Sequence, residues 1–230
     1  YFYKSVWNQK EKFAYLCPHW NLKLKKGTVL PVICYTNCED AELFVNGRSF
    51  GMKSKGFPCY GMTERYGHFD RYRRPANTDD LFLSWDVPYE PGKIEVVGYH
   101  DGKEVCRYKV ETTGEAASIK LTVDKTSVDA DGRSIVQAEV RIVDSEGRIV
   151  FDACPELDFT LEGDAEIIGI DNGDPACHEQ WKETKGRHAF NGMAYAVIRA
   201  GQNKGELTLT VQASGVDAAI GKASVTISQK

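Results

Sequence analysis

Apolar and polar residues alternate one by one along most of this sequence, and this pattern constrains the fold more than any other feature. In the second half, Ile119, Leu121 and Val123 alternate with polar neighbours. The same alternation recurs in four further segments of this half: 136–142, 157–161, 207–211 and 223–227. Successive side chains of a β-strand point to opposite faces, so one-sided alternation indicates strands with one face on a core and one in water.

Glycine-containing turns separate the alternating segments. Asp131-Gly132, Glu146-Gly147 and Asn191-Gly192 lie between them in the second half, and Asn46-Gly47 and Asp101-Gly102 do so in the first. Glycine supplies the positive φ that tight connections between strands need. Short strands at roughly ten-residue spacing, with no amphipathic helix between them, predict an all-β fold of antiparallel sandwiches.

The chain length and one small-residue stretch predict two domains. A chain of 230 residues is long enough for two domains of ordinary size. Residues 112–117 are mostly small and stand between two alternating segments. We therefore predict two tandem immunoglobulin-like antiparallel β-sandwich domains, 1–114 and 115–230.

Residues 51–80 depart from the alternating pattern. They combine glycines, aromatic residues and arginines with little periodicity. We predict a long insertion in the first domain, because loops of this length inside a compact domain are commonly functional. The alternative is an ordered insertion that packs over the sheet or contacts another part of a longer protein.

The composition excludes several classes of partner. The chain carries 29 Lys and Arg against 33 Asp and Glu, so it lacks the basic surface that nucleic acids need. Its longest apolar runs are far shorter than the ~20 residues of a membrane span. The seven cysteines and five histidines show no zinc-type spacing, and we interpret the cysteines as buried free thiols with one disulfide at most. The cellular compartment stays open.

Ordered motifs along the chain resemble glycoside hydrolase family 2. Segments 1–7 (YFYKSVW) and 16–21 (LCPHWN) resemble the segment that leaves the catalytic barrel in many family 2 β-galactosidases. Three further segments resemble a domain of uncharacterised function that follows the barrel: 35–38, 42–49 and 85–92. Five segments of the second half resemble the family's further C-terminal domain, which is similar to invasin-like bacterial immunoglobulin domains: 118–124, 129–132, 143–147, 169–174 and 189–192. The insertion at 51–80 is longer than the resemblance implies.

The resemblance implies a parent enzyme that hydrolyses glycosides with retention, using two glutamates of a (β/α)₈ barrel. That chemistry needs two carboxyl groups about 5–5.5 Å apart, and the barrel typically has ~250 residues and eight helices. This sequence has neither the length nor the helical periods. The oxygen-rich segment 171–174 is interpreted as a structural turn rather than a calcium loop. We assign no catalytic residue, no metal site and no cofactor, and expect the barrel of the same parent chain as a partner.

An oligosaccharide is the other candidate partner. Carbohydrate sites stack sugar faces on exposed aromatic rings beside hydrogen-bonding groups, in the manner of other small-molecule pockets. Trp85 alternates with core positions and is predicted to be buried, and Trp7 is expected to pack against the barrel. The remaining candidates for a carbohydrate or interdomain contact are Trp20, Tyr60, Tyr66, Arg71, Arg73 and Trp181. For the two tryptophans in this set, packing or interdomain contact is favoured over a sugar platform.

Three functional hypotheses follow. The leading one is a pair of non-catalytic accessory modules that brace or extend a β-galactosidase-like enzyme. The second is a carbohydrate-binding module that delivers the enzyme to a polysaccharide. The third is a surface array of immunoglobulin-like domains acting in adhesion or as a spacer. The barrel-exit motif in residues 1–21 argues against the third hypothesis, because a surface array needs no such segment.

Overall fold

The computed structural model describes residues 1–8, 10–54, 81–182 and 186–230. The chain divides into two compact units, Tyr1–Thr112 and Thr113–Lys230. Both are built from β-strands, as the alternation predicts. No helix among the described residues is long and apolar enough to cross a membrane.

The first unit forms a β-sandwich. Its elements are α1 (Phe2–Trp7), β1 (Ala14–Cys17), β2 (Val29–Thr36), β3 (Asp40–Val45), β4 (Arg48–Ser54), β5 (Leu83–Pro88), β6 (Lys93–His100) and β7 (Lys103–Glu111). One antiparallel sheet has the order β1-β2-β5 and the other the order β4-β3-β6-β7. Both sheets contribute to one core, where Leu16 and Val32 of the first sheet share a cluster with Leu43 and Val96 of the second. Trp85 is buried in this core, in agreement with its place in the alternation.

The hairpin turns of the first unit follow from their residues. Asn46 and Gly47 have φ values of 49° and 82°, and Asp101 and Gly102 have values of 49° and 69°. Two successive residues with positive φ match the right-handed twist of the flanking strands, and Asn-Gly and Asp-Gly tolerate that backbone best. These turns close the β3–β4 and β6–β7 hairpins.

The prediction that segment 51–80 is irregular is wrong for its first four residues, because residues 51–54 continue β4. Phe44 pairs with Ser49 and Glu42 with Met52, so Phe50 and Gly51 both face the single residue between them on β3. Gly51 has φ 90°, and its carbonyl accepts a hydrogen bond of 3.0 Å from Trp85 Nε1. This bulge interrupts the alternation, which is why the pattern predicted a strand after Asn46-Gly47 but not its continuation through residues 51–54.

The second unit is also a β-sandwich, with two larger sheets. Its elements are β8 (Ser118–Val123), β9 (Ser127–Val128), β10 (Ile135–Val143), β11 (Glu156–Glu162), β12 (Ala165–Asp171), β13 (Gly186–His188), β14 (Met193–Ala200), β15 (Gly205–Ala213), a 3₁₀ helix (Gly215–Ile220) and β16 (Lys222–Gln229). The sheet orders are β12-β14-β10-β8 and β13-β11-β15-β16-β9. Among the described strands of this unit, every pairing is antiparallel except the short contact between β16 and β9. Val140 and Ile198 of the first sheet share a core with Phe159 and Leu209 of the second.

Candidate functional site

Trp20 lies in the core of the first unit and not on a surface. Its side chain is 0% exposed, and its ring packs edge-on against Tyr89 with centroids 5.2 Å apart. The indole Nε1 donates a hydrogen bond of 2.9 Å to the carbonyl of Glu90. A fully buried ring has no face to offer a sugar or another domain, so of the roles left open for Trp20 the structure shows packing, and a carbohydrate or interdomain contact at this residue is corrected. The residue lies outside a regular strand, as expected, but its indole N–H finds its partner inside the unit.

Four other candidates, Tyr60, Tyr66, Arg71 and Arg73, lie outside the described residues. A contact through the 51–80 insertion therefore stays a prediction.

Trp181 is the candidate that the structure places on a surface, with 54% of the residue exposed. It stands beside the outer face of β12 and β14. The Trp181 groove has a volume of about 260 Å³ and is lined by Ile168, Gly169, Ile170, Asp171, Trp181, Tyr195 and Val197. Sequence reasoning missed the other members of this groove, because they become neighbours only through the pairing of β12 with β14.

A β-bulge in β12 makes room for the indole. Ile167 pairs with Ile198 and Gly169 with Val197, so Ile168 is the extra residue of the bulged strand. A Cβ atom added at Gly169 would lie 3.4 Å from the Trp181 ring. The absence of a side chain at Gly169 therefore lets the indole lie close to the strand.

The loop that carries Trp181 is held in place by several polar contacts. Ile170 N donates to the Trp181 carbonyl at 2.8 Å, which attaches the loop to the edge of β12. The guanidinium of Arg187, 4% exposed, donates from Nη1 to the Glu179 carbonyl at 3.1 Å. The Glu179 carboxylate in turn accepts the backbone N–H of His188 at 3.1 Å and contacts the His188 ring. These contacts fix the backbone at Glu179 and at Trp181 itself.

Polar groups border the Trp181 groove. The Tyr195 hydroxyl donates to the side-chain oxygen of Gln137, and the Lys182 ammonium lies 4.4 Å from the Trp181 ring centroid. Asp171 lies at one end, where hydrogen bonds from the backbone N–H groups of Gly173 and Asn172 lower the pKa of its carboxyl. An exposed indole with a phenol, an amide and a carboxylate nearby is the type of surface on which a sugar ring stacks and hydrogen-bonds.

The acidic segment 171–174 behaves as a chain of turns. Asp171 Oδ1 accepts from Asn172 N at 2.6 Å and Gly173 N at 3.0 Å, and Asp174 Oδ1 accepts from Ala176 N at 2.9 Å. Side-chain oxygens that bind their own backbone in this way are typical of Asx turns. This supports the interpretation of the segment as structural.

One further group of side chains could approach a metal ion. The ligand atoms of Glu39, His100 and Asp101 lie within 4.8 Å of one another. Glu39 Oε1 is 3.1 Å from His100 Nδ1, and Glu39 Oε2 accepts the backbone N–H of Asp101 at 3.0 Å. A closed zinc site needs four ligands, whereas here the carboxylate already has both oxygens engaged. We therefore assign the Glu39 carboxylate a local structural role, in which it holds the backbone of the β6–β7 turn at Asp101.

The first unit exposes an aromatic helix face that we define by Tyr3, Val6 and Trp7. Val6 and Trp7 lie three and four positions after Tyr3, so both neighbour it on one side of α1, and Trp7 is 72% exposed. The Tyr3 and Trp7 rings stack with centroids 4.8 Å apart. The opposite side of the helix packs on the sheet through Phe2. Its ring lies edge-on to the Tyr35 ring, with centroids 5.8 Å apart. The predicted packing of Trp7 against the barrel stays a prediction.

Comparisons with known proteins assign a domain type to each unit. Residues 27–106 match a domain of unknown function (DUF4982). Residues 119–221 match the glycoside hydrolase family 2 C-terminal domain 5. The two matches lie in the order and in the halves of the chain where the sequence motifs indicated them.

Individual relatives extend these matches along the whole chain. The beta-galactosidase BoGH2A of Bacteroides ovatus is 33% identical over 225 residues, which are 97% of this chain and 24% of that protein. A beta-glucuronidase of Formosa agariphila is 29% identical over 72% of this chain and 15% of its own length. The crystal structure of a glycosyl hydrolase family 2 member from Bacteroides cellulosilyticus superposes with a TM-score of 0.81 and 26% identity, covering all of this chain and 30% of that one. The chain is therefore built from two of the C-terminal domains of glycoside hydrolase family 2 proteins.

Proposed function

We propose that this chain is a non-catalytic accessory module of a family 2 glycosidase of β-galactosidase type, and that it braces or extends the catalytic barrel. The observation that carries the proposal is the match to the family 2 C-terminal domain 5, preceded by the match to DUF4982, in a chain that spans 24% of the length of BoGH2A. The activities named for the relatives belong to proteins several times longer than this chain. Glycoside hydrolysis would then be catalysed by the barrel of the same parent protein.

The architecture supports a non-catalytic role. Retaining hydrolysis in this family uses glutamates on a barrel with eight helices, whereas the described residues form two β-sandwiches with one α-helix of six residues. Several of the acids that the structure describes are engaged in local contacts. Asp144 and Asp164 accept backbone N–H groups, and Glu95 pairs with Lys93 and Arg107. Carboxylates used in this way hold turns and strands together.

The aromatic helix face supports the bracing role. Interfaces are enriched in tyrosine and tryptophan, and a cluster of exposed aromatic rings on one helix side marks a contact surface. In the proposed parent this face lies in the segment that resembles the exit from the barrel. Tyr3 and Trp7 would then be covered by the barrel.

Alanine substitutions on this face of the full-length parent test the proposal. For Trp7→Ala combined with Tyr3→Ala, we expect a lower melting temperature of the catalytic domain, because the face would lose its two largest apolar contacts. Activity on nitrophenyl glycosides should persist below that temperature. Trp181→Ala is the matched control, since it removes an exposed indole from the other unit. Equal melting curves for the parent and the double variant would contradict the bracing role.

Carbohydrate binding at the Trp181 groove is the second candidate function. It is supported by the exposed indole, by the hydroxyl of Tyr195 beside it and by the contacts that fix the loop. A glycan array probed with this chain, followed by titration calorimetry, would test it. We expect Trp181→Ala to weaken binding at least tenfold, since stacking of a sugar on an indole is lost, while Trp7→Ala has no effect. This site would be excluded if the unaltered chain bound no glycan on the array. It would also be excluded if the Trp181→Ala variant bound the glycan as tightly as the unaltered chain.

A further inference from the structure

Two cysteines of the first unit lie in direct contact. Cys38, in the connection between β2 and β3, and Cys106 of β7 are 68 positions apart in sequence, yet their Sγ atoms are 3.4 Å apart. Cys38 is buried and Cys106 is partly exposed. A disulfide bond is about 2.05 Å long, so closing the gap needs each sulfur to move by less than ~1 Å.

The strand between them leaves space for both sulfurs. Gly98 of β6 pairs with Cys106 across the β6–β7 ladder. A Cβ atom added at Gly98 would lie 2.6 Å from Cys106 Sγ and 2.7 Å from Cys38 Sγ. Any side chain at Gly98 would therefore push the two thiols apart. The missing side chain at this position is the condition for their contact.

From this geometry we propose that Cys38 and Cys106 form a disulfide bond that links the β2–β3 connection to β7. Each thiol gives up one proton and a single S–S bond forms between them. The two electrons reduce the S–S bond of a disulfide oxidant, such as oxidised glutathione, to two thiols. The proposal concerns a modification of the first unit and does not depend on the proposed accessory function.

The surroundings of the pair favour this reaction. The hydrogen bond from the Cys106 thiol lowers the pKa of the Cys38 thiol, whereas burial opposes this shift. Lys12 and His100 lower the pKa of Cys38 further. Thiolates are the species that attack disulfides. The linked residues enclose β3, β4, β5 and β6 together with the long insertion, and a cross-link over such a long loop restricts the unfolded chain strongly.

Incubation of the reduced 230-residue chain with oxidised glutathione tests the proposal. Free thiols are then alkylated, and tryptic peptides are mapped by mass spectrometry. We expect a peptide pair joined through Cys38 and Cys106. This bond should protect two of the seven cysteines from alkylation. The melting temperature of the oxidised chain should exceed that of the reduced chain by several degrees.

Serine variants identify the bond and its controls. Cys106→Ser should abolish both the joined peptide and the redox-dependent melting shift, whereas Cys17→Ser and Cys154→Ser, at exposed thiols, should retain both. Alkylated Cys38 and Cys106 in the oxidised chain, or a joined peptide that pairs either one with another cysteine, would overturn the proposal. Because peptide mapping of the unaltered chain gives this result directly, the test stands even if Cys106→Ser fails to fold.

Discussion

The carboxylate of Asp144 organises the turn that follows β10. It accepts the backbone N–H groups of Gly114 at 3.1 Å, Glu146 at 3.0 Å and Arg148 at 2.9 Å, and the Arg148 side chain donates to it at 2.7–2.8 Å. Burial alone would raise the pKa of this carboxyl. The hydrogen bonds from Arg148, Gly114 and Glu146 outweigh that effect and hold the pKa well below its usual range.

We expect Asp144→Asn to lower the melting temperature of the second unit by several degrees at pH 7. The amide keeps the size of the side chain but loses its charge and one acceptor oxygen, so backbone N–H groups are left without a partner. Because the folded-state pKa is depressed, the carboxylate stabilises the fold above the unfolded pKa, and this contribution is lost as pH falls through the folded-state value. The difference between wild type and variant should therefore shrink below about pH 4.

Thermal melts of both proteins from pH 3 to pH 7 measure this difference. Asp129→Asn is the matched control, since Asp129 is an exposed acid of the same unit. A difference in melting temperature that stays constant over this range would show that the charge of Asp144 is not its stabilising feature.

At the level of single residues, alternation predicted buried positions but could not place every tryptophan. Trp85 stands in a strand, and its alternation with Leu83 predicted its burial correctly, although Leu81, the other residue of that alternation, is exposed. Trp20 stands outside a strand, where no periodicity applies, and its burial depends on Tyr89 and Glu90, about 70 positions away. Contacts of that range become visible only when the chain is folded.

The Trp181 loop shows how one element is held by a residue of another. Arg187, on β13, is buried and donates to the carbonyl of Glu179. The same guanidinium lies 3.5 Å from Oδ1 of Asp171, at the end of β12. Arg187 thus connects the backbone at Glu179 to the end of β12.

We expect Arg187→Met to loosen this loop while leaving the sandwich folded. Methionine fills the apolar part of the space but cannot donate to Glu179 or Asp171. Limited trypsin digestion should then cleave after Lys182 several times faster than in the unaltered chain. Arg199→Met is the control, because Arg199 of β14 forms an exposed ion pair with Glu166 of β12. This variant should leave the cleavage rate unchanged. Equal rates for both variants would show that Arg187 does not hold the loop.

At the level of elements, strands were predicted where the contrast between their two faces is strong. β14 was missed because three of its four inward residues are alanines, Ala194, Ala196 and Ala200, which give little contrast. β12 was missed because its bulge shifts the alternation by one residue. The helix α1 was missed because six residues do not show a helical period. Each failure has a local cause, while the all-β class was predicted correctly.

The whole molecule consists of two units with separate cores. The division falls after Thr112, two residues before the predicted one. Gly114 N donates to Asp144, and Ala116 packs against the core of the second unit. We therefore propose that the second domain includes residues 113–116 and that each domain folds by itself.

We expect fragments 1–112 and 113–230 each to give a β-type circular dichroism spectrum and a cooperative melt, because each buries its own apolar face. A fragment 117–230 should melt at a lower temperature than 113–230, since it lacks the Gly114–Asp144 hydrogen bond and Ala116. An unfolded 113–230 fragment would contradict the division, as would equal melting temperatures for the two forms of the second domain.

We proposed that this chain assists a glycosidase and does not itself hydrolyse glycosides, and a hydrolysis assay of the purified chain decides between the two. The purified 230-residue chain is incubated with nitrophenyl β-galactoside and nitrophenyl β-glucuronide, the two substrate types named for its relatives. We expect release of nitrophenol at the rate of the buffer alone. Turnover that co-purifies with the chain, and that disappears when one of its own carboxylates is changed to the amide, would contradict it.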